Sequence, residues 1–497
     1  MELGHRLVSD GMVLQRGEDF FLSGAAKGEK VSVSFAGSRK EVRCSGGRFE
    51  VCFEKPGAGG PYTLEVCGEG ISCKIEDILV GDVYFMSGQS NMELDINWVY
   101  HSFAEEIDAW NCDQVRQFKV PVSYNFVEPQ QDTDGGSWVK AQGEAKNTFG
   151  AIGFFMAKKL YGEKHIPIGL IQTAVPGCPI ESFLTKENAG RFGEIKPDEI
   201  CHSKEEMRRQ TEKEQQAWDD RVKTMLGQDD KTQGGVWKRT VVPFWWELDQ
   251  EQQAGIVTLE KDFVLDDEPA EDAVLQLGLM IEADETYIND SFVGRSEYQY
   301  LRRRYVVPKT LLHRGKNCVR VKLIVTNGTA RVWEKLPCDI TVGGRSYDLT
   351  GVWRYRMGKF SPEGFFPKTF YEYLPCGVYQ AMIAPLMEAK AAALLWYQGE
   401  SNTAEPEGYL EKFKLLVRQF RDGLGQPDLP VYYVQLAGYE DPCDPDGTGW
   451  ESIRRQQEQA QEIPGAHMIV SMDVGSPTDL HPQNKKAIGE RIAERIL

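Results

Sequence analysis

"FMSGQSNM", residues 85–92, is where an apolar run stops and small polar residues take over. Val83-Tyr84-Phe85-Met86 reads as a strand, and Ser87-Gly88-Gln89-Ser90-Asn91 as the turn after it. Four further runs share this form: 168–175 ("IGLIQTAV"), 391–397 ("AAALLWY"), 430–436 ("PVYYVQL") and 467–473 ("HMIVSMD"). Continuous apolar runs, unlike alternating ones, suit a parallel sheet covered on both faces. Helical stretches lie among them at 149–163, 407–423, 451–462 and about 484–497, where Ile488, Ile492 and Ile496 share one face. Strands alternating with helices imply an α/β fold.

On either side of this pattern the chain reads differently. Residues 1–78 hold short strands between turns, with period-two alternation in "KVSVSF", and suggest an N-terminal β-sandwich. Residues 204–226 read as a charged, solvated helix. From 236 to about 356 the β pattern returns, with Asn289 and Gly294 where hairpin turns are expected. This is read as a second β-domain inserted into the α/β domain, an arrangement that surface loops tolerate. The plan is a β-sandwich over 1–78, an α/β domain in two parts over 79–235 and 357–497, and an insert over 236–356.

The 497 residues are enough for such a plan. A formal net charge of −18 repels phosphate backbones and anionic lipid, so neither nucleic acid nor a membrane surface is expected as a partner. A neutral sugar is compatible with that field. No apolar run approaches the roughly 18–20 residues that span a bilayer. The start "MELGHRLVSDGMVLQ" has no apolar stretch after His5 and Arg6, so no signal peptide is read there. Eleven scattered cysteines without CxxC pairs fit a reduced, cytoplasmic chain better than a disulfide framework or a zinc site.

Ligands of a parallel α/β sheet gather beyond the carboxyl ends of its strands. There the sequence places Ser90, Pro176-Gly177-Cys178, Gln398-Gly399-Glu400-Ser401-Asn402 and Asp479-Leu480-His481-Pro482. A serine hydroxyl needs a base to act as a nucleophile near neutrality. Of seven histidines, His481 is the best candidate, because it follows the last strand and Asp479 stands two residues before it. In an extended loop Asp479 would face the same way and hold the imidazole, leaving Nε2 for Ser90. "GQSNM" departs from G-x-S-x-G, since Met92 stands at the second glycine, so the usual nucleophile elbow is not expected. Backbone N–H groups of Ser90 and Gly177 could form an oxyanion hole, with Gln398 or Asn402 adding a side-chain amide. Glu400 could orient its loop, bind a sugar hydroxyl or compete with Asp479. Paired with Asp95, Asp473 or Asp479 it would instead suggest a glycosidase.

"GDVYFMSGQSNMEL", "GLIQTAVPGCPIESF", "GVYQAMIAPL", "AAALLWYQGESN" and "DLHPQNKKAIGERIA" together resemble the sialate O-acetylesterase family of the SGNH/GDSL hydrolase superfamily. The resemblance implies an SGNH-type, flavodoxin-like catalytic domain and a galactose-binding-like jelly roll as the insert. It also implies serine-dependent removal of O-acetyl groups from a sugar, with Ser90 as nucleophile, His481 as base, and Gly177 and Gln398 at the oxyanion positions. Two departures stand: the second block reads Pro176-Gly177-Cys178, and Asp479 lies two rather than three residues before His481, with Asp473 as a second candidate acid. The expected substrate is a small-molecule or oligosaccharide acetyl ester, of sialic acid or of xylan, and no metal or cofactor is required. Arg454 and Arg455 could meet a sialate carboxylate, Asn402 could contact the substrate, and Trp98 and Tyr100 could stack on a sugar ring. A carbohydrate-binding protein without activity is the reading from another class. Assembly into a homo-oligomer stays open.

Overall fold

The strand that ends at "FMSG" is longer than its apolar run, extending over Ile71–Gly88. Its first half pairs antiparallel with Gly59–Gly68, and its second half lies between two parallel neighbours. In the computed structural model, which describes residues 3, 5–193, 204–231, 236–297, 299, 301–333, 336–365, 368–441, 444–477 and 479–497, this strand is the axis of the first of two units. That unit comprises Met1–Met207 and Phe370–Leu497.

Across the first unit's main sheet the order is Ala466–Ile469, Val431–Val434, Ala393–Tyr397, Ile71–Gly88, Ile168–Gln172, Cys112–Lys119 and Trp138–Ala141. The first six run parallel, and Trp138–Ala141 closes the edge antiparallel. Every residue of Ile168–Gln172, Ala393–Tyr397 and Val431–Val434 is buried, as their unbroken apolar composition requires. Helices Ala151–Lys164, Tyr409–Leu424, Thr448–Gln459 and Lys485–Ile496 fall on the stretches where helices are expected. In the last of them Ile488 and Ile492 are buried. The Ile96–Ala109 helix and the Cys112–Lys119 and Trp138–Ala141 strands escape the pattern.

The N-terminal strands form two small sheets over one core, in which Val31, Val33 and Phe35 alternate inward and the Phe35 ring meets Phe53 edge-on. The boundary expected after residue 78 is corrected: it falls inside the Ile71–Gly88 strand, which runs unbroken from these sheets into the parallel one.

The second unit is Arg208–Thr369, wider than the 236–356 read from the β pattern. The boundary read at residue 235 lies outside the described residues. Its strands form antiparallel sheets of six, three and four strands around a core that includes Val257, Leu275, Val321 and Trp353. The charged helix extends over Lys204–Lys231 and is not wholly solvated, because Trp218 and Val222 are buried against Ile256, Ala283 and Ile324. The Ala283–Ile288/Ser291–Ser296 hairpin turns through Asn289 and Asp290, both at positive φ. Gly294 is not a turn residue. It lies inside the second strand, where a Cβ would run into the Tyr305 ring.

Candidate active site

Ser90 opens a single helical turn, Ser90–Glu93, directly beyond the Ile71–Gly88 strand. Gly88 lets the chain leave the sheet there: it sits at φ +122, and any Cβ would run into the Tyr397 backbone of the adjacent strand. Ser90 Oγ lies 2.9 Å from His481 Nε2, across 391 positions of sequence.

The His481 ring is only 3 % exposed. Burial, reinforced by the positive charge of Lys485, pushes its pKa down to about 3, so it is neutral near pH 7. Asp479 Oδ1 accepts the His481 backbone N–H at 2.9 Å, and Oδ2 accepts from Gln483 at 3.0 Å. The carboxylate thereby shapes the turn that presents the ring. Asp473, the second candidate acid, is paired on the surface with Arg491. Trp98 is not an open sugar platform. It is 4 % exposed, meets the imidazole edge-on with centroids 5.5 Å apart, and donates its indole N–H to the His481 carbonyl at 3.4 Å. Tyr100 donates to Asp108 on its own helix.

The loop after Ala393–Tyr397 differs most from expectation. Gln398 is fully buried; its Nε2 donates to Asn402 Oδ1 at 2.6 Å and to the Cys178 carbonyl at 3.3 Å. Asn402 in turn accepts from the Ile180 N–H at 3.0 Å and donates to the Glu181 carboxylate at 3.1 and 2.9 Å. These contacts fix which end of each amide is the donor. Both donor groups are committed to holding the Cys178–Glu181 turn. This corrects Gln398 as an oxyanion donor and Asn402 as a substrate contact. Lys412 adds a buried ion pair to Glu181 beneath them. The Gln398 Oε1 has no hydrogen-bond partner among the described residues.

Gly177 does come to this rim. It sits at φ +73, and a Cβ would run into the Tyr373 hydroxyl, so both conformation and space demand glycine. Its carbonyl accepts from Ser401 Oγ at 2.8 Å, and Ser401 Oγ receives Gln89 Nε2 at 3.3 Å. Glu400 lies beneath this surface. Its Oε1 accepts from Asn91 Nδ2 at 2.5 Å, and burial raises its pKa above the usual carboxylate range. Arg454 donates to the Ala437 carbonyl at 3.4 Å. Sequence reasoning passed over Gln89, Asn91 and Lys485. The first two flank Ser90, which was a usable signal; Lys485 offered none.

The C-terminal half of this site carries a recognisable signature. Residues 368–497 match the family model for a carbohydrate esterase, sialic acid-specific acetylesterase. This esterase match takes in Gln398, Glu400, His481 and Lys485. The sialate O-acetylesterase of Rattus norvegicus is 30 % identical over 141 residues, 26 % of this chain and 26 % of that protein. The sialate O-acetylesterase of Homo sapiens is 25 % identical over 144 residues, 25 % and 26 % of the two chains. The chain thus aligns with about a quarter of the length of these relatives. A carbohydrate acetylesterase from Xanthomonas citri superimposes with a TM-score of 0.60 at 22 % identity, over 99 % of this chain and 74 % of that one. That agreement establishes a shared fold over nearly the whole chain.

Proposed function

We propose that this chain is a serine esterase that removes O-acetyl groups from a carbohydrate, with O-acetylated sialic acid as the first substrate to test. The observation that carries the reading is the 2.9 Å approach of Ser90 Oγ to a buried, neutral His481 Nε2. With the proton on Nδ1, Nε2 accepts the serine proton as Oγ attacks the acetyl carbonyl. The oxyanion of the tetrahedral intermediate takes the backbone N–H groups of Ser90 and Gly177. His481 then returns the proton to the departing sugar oxygen, leaving an acetyl-serine. A water activated by the same imidazole releases acetate and restores Ser90. Asp479 supports His481 by holding its backbone turn. The SGNH-type reading of the catalytic domain rests on its sequence motifs, since its parallel strands, numbered along the chain, lie in the order 2-3-1-4-5-6 and not in the flavodoxin-like order 2-1-3-4-5. The β unit is read as an inserted jelly roll. A cytoplasmic location belongs to the same reading.

The choice of sialate rests on the C-terminal family match and the names of the relatives. Acetate release from 9-O-acetyl sialic acid and from acetylated xylo-oligosaccharides should be compared, alongside p-nitrophenyl acetate. Ser90→Ala is expected to lower kcat on every active substrate by about a thousandfold or more. Equal rates in the wild type and the variant would sink the esterase reading. A preference for the xylo-oligosaccharides would move the substrate and leave the mechanism standing.

A further inference from the structure

Lys485 is the first residue of the Lys485–Ile496 helix and is fully buried. Both facts count against a lysine. A cation at a helix N-terminus opposes the macrodipole, and a buried ammonium loses its hydration. A methionine would fill similar space without either cost. The ammonium bonds to Asn91 Oδ1, and it sits 5.6 Å from the centroid of the Tyr397 ring. Asn91 Nδ2 donates in two directions, to Glu400 Oε1 at 2.5 Å and to the Leu480 carbonyl at 3.2 Å. Asn91 follows Ser90 in the chain, and Leu480 precedes His481. One amide therefore joins the turn carrying the serine to the loop carrying the histidine, and Lys485 anchors the oxygen end of that amide.

We propose that Lys485 is a positioning residue for the Ser90–His481 pair, locking the serine turn to the histidine loop through Asn91. The inference rests on Ser90 being the nucleophile. With Lys485 in place the Asn91 oxygen faces the ammonium, so both amide hydrogens point at Glu400 and Leu480. Without it the buried Asn91 oxygen loses its donor, and the amide, anchored only through its hydrogens to Glu400 and the Leu480 carbonyl, is free to shift together with the two segments it joins. Displacing a reacting group by about 1 Å can cost on the order of a hundredfold in rate. The charge has a second effect, since it disfavours a proton on the neighbouring imidazole. The charged or titratable groups around Lys485 are Glu400 from the 400–402 turn, Asp479 and His481 from the preceding loop, and the Tyr397 phenol from the strand end. Glu400 and Asp479 favour the ammonium, while burial pushes its pKa down to about 7.

The test combines Lys485→Met, Asn91→Leu and their double variant, each checked for folding by thermal unfolding. Kinetics on p-nitrophenyl acetate are read together with the rate of covalent labelling of Ser90 by a fluorophosphonate. Each single variant is expected to lose about tenfold or more in kcat with KM changed less than about twofold. The double variant should be no worse than the poorer single, because both break the same link. The acid limb of kcat/KM should move to higher pH in Lys485→Met and stay in place in Asn91→Leu. Additive losses, or a Lys485→Met enzyme with unchanged kcat and labelling rate, would overturn the proposal. Should Lys485→Met fail to fold, Lys485→Leu, which also lacks a donor, carries the same expectations. A wild-type protein that the fluorophosphonate does not label at Ser90 would instead overturn the nucleophile assignment itself, which separates the two failures.

Discussion

A general base works only while it is unprotonated, and two features of its surroundings keep His481 in that state. The ring is enclosed by Trp98 and the surrounding loops, and Lys485 brings a positive charge close by. Both effects penalise the imidazolium, so the pKa falls from 6.5 to about 3. The protonated ring cannot take the Ser90 proton, so activity should be lost as pH falls through the lowered value and not through the ordinary one. The kcat/KM profile on p-nitrophenyl acetate is therefore expected to stay level from pH 7.5 down through pH 5, as far as the fold survives. An acid limb centred near 6.5 would mean that the ring is solvated in the free enzyme. Ser90 and His481 were readable in the sequence because each follows a strand end and each belongs to a short list of chemically competent residues. Gln398 was misread because a strand-end position does not say where an amide points, and its partners in the Cys178–Glu181 turn lie more than 200 positions away. Lys485 was invisible, since a lysine at the start of an amphipathic helix looks like a solvated one.

Among the elements, the end of the Ile71–Gly88 strand is held by a tight steric constraint. Tyr397 pairs with Gly88 in the parallel register, and the Gln89 N–H donates to the Tyr397 carbonyl at 2.9 Å. That approach is open only to a residue without a Cβ and with φ near +122. Gly88→Ala faces rigid backbone, so relaxation must move one of the two strands that carry Ser90 and Gln398. It is expected to cost more than the ~1–3 kcal/mol of an unfavourable φ alone, and to reduce activity further by displacing Ser90. Thermal unfolding and acetate release check the two effects; a variant matching wild type in both would contradict the packing described. In the parallel sheet, the strands that sequence reading located are those with unbroken apolar runs. Cys112–Lys119 was missed because it buries Arg116 and Gln117. Arg116 reaches the Gly11 carbonyl at 2.8 Å and the Asp77 carboxylate at 2.8 Å, and Gln117 receives the Gly150 N–H at 2.9 Å. These partners come from distant parts of the chain, and no local pattern reveals them. Gly294 was misplaced for a similar reason: the ring of Tyr305, not a turn, requires that glycine.

Over the whole chain, the change of strand types marked out a β-sandwich, an α/β domain and an insert, and the boundaries shifted where elements crossed them. The second unit begins inside the charged helix because Trp218 and Val222 supply apolar contacts that a composition of Glu, Lys and Gln conceals. Composition does bear on a property of the entire molecule, its charge. Asp and Glu number 75 against 57 Lys and Arg, a formal excess of 18 negative charges. Like charges repel more strongly in the folded state, where they are closer together, and added salt screens that repulsion. Salt also weakens the surface ion pairs, such as Arg455–Glu451 and Arg418–Asp422, but exposed pairs contribute only about 0–1 kcal/mol each. Buried pairs such as Arg303–Asp284 and Lys412–Glu181 are screened far less. The repulsive excess should therefore dominate at pH 8. Raising NaCl from about 10 to about 150 mM shortens the Debye length from about 30 to about 8 Å, and the unfolding temperature is expected to rise. Near the isoelectric point of about 5.1 the excess vanishes, and the same addition should leave the unfolding temperature level or lower it slightly. Chloride is the right salt for this comparison, since sulfate stabilises folded proteins by surface exclusion whatever their charge. A fall in unfolding temperature at pH 8 would mean that ion pairing, rather than net repulsion, governs the electrostatics of the fold.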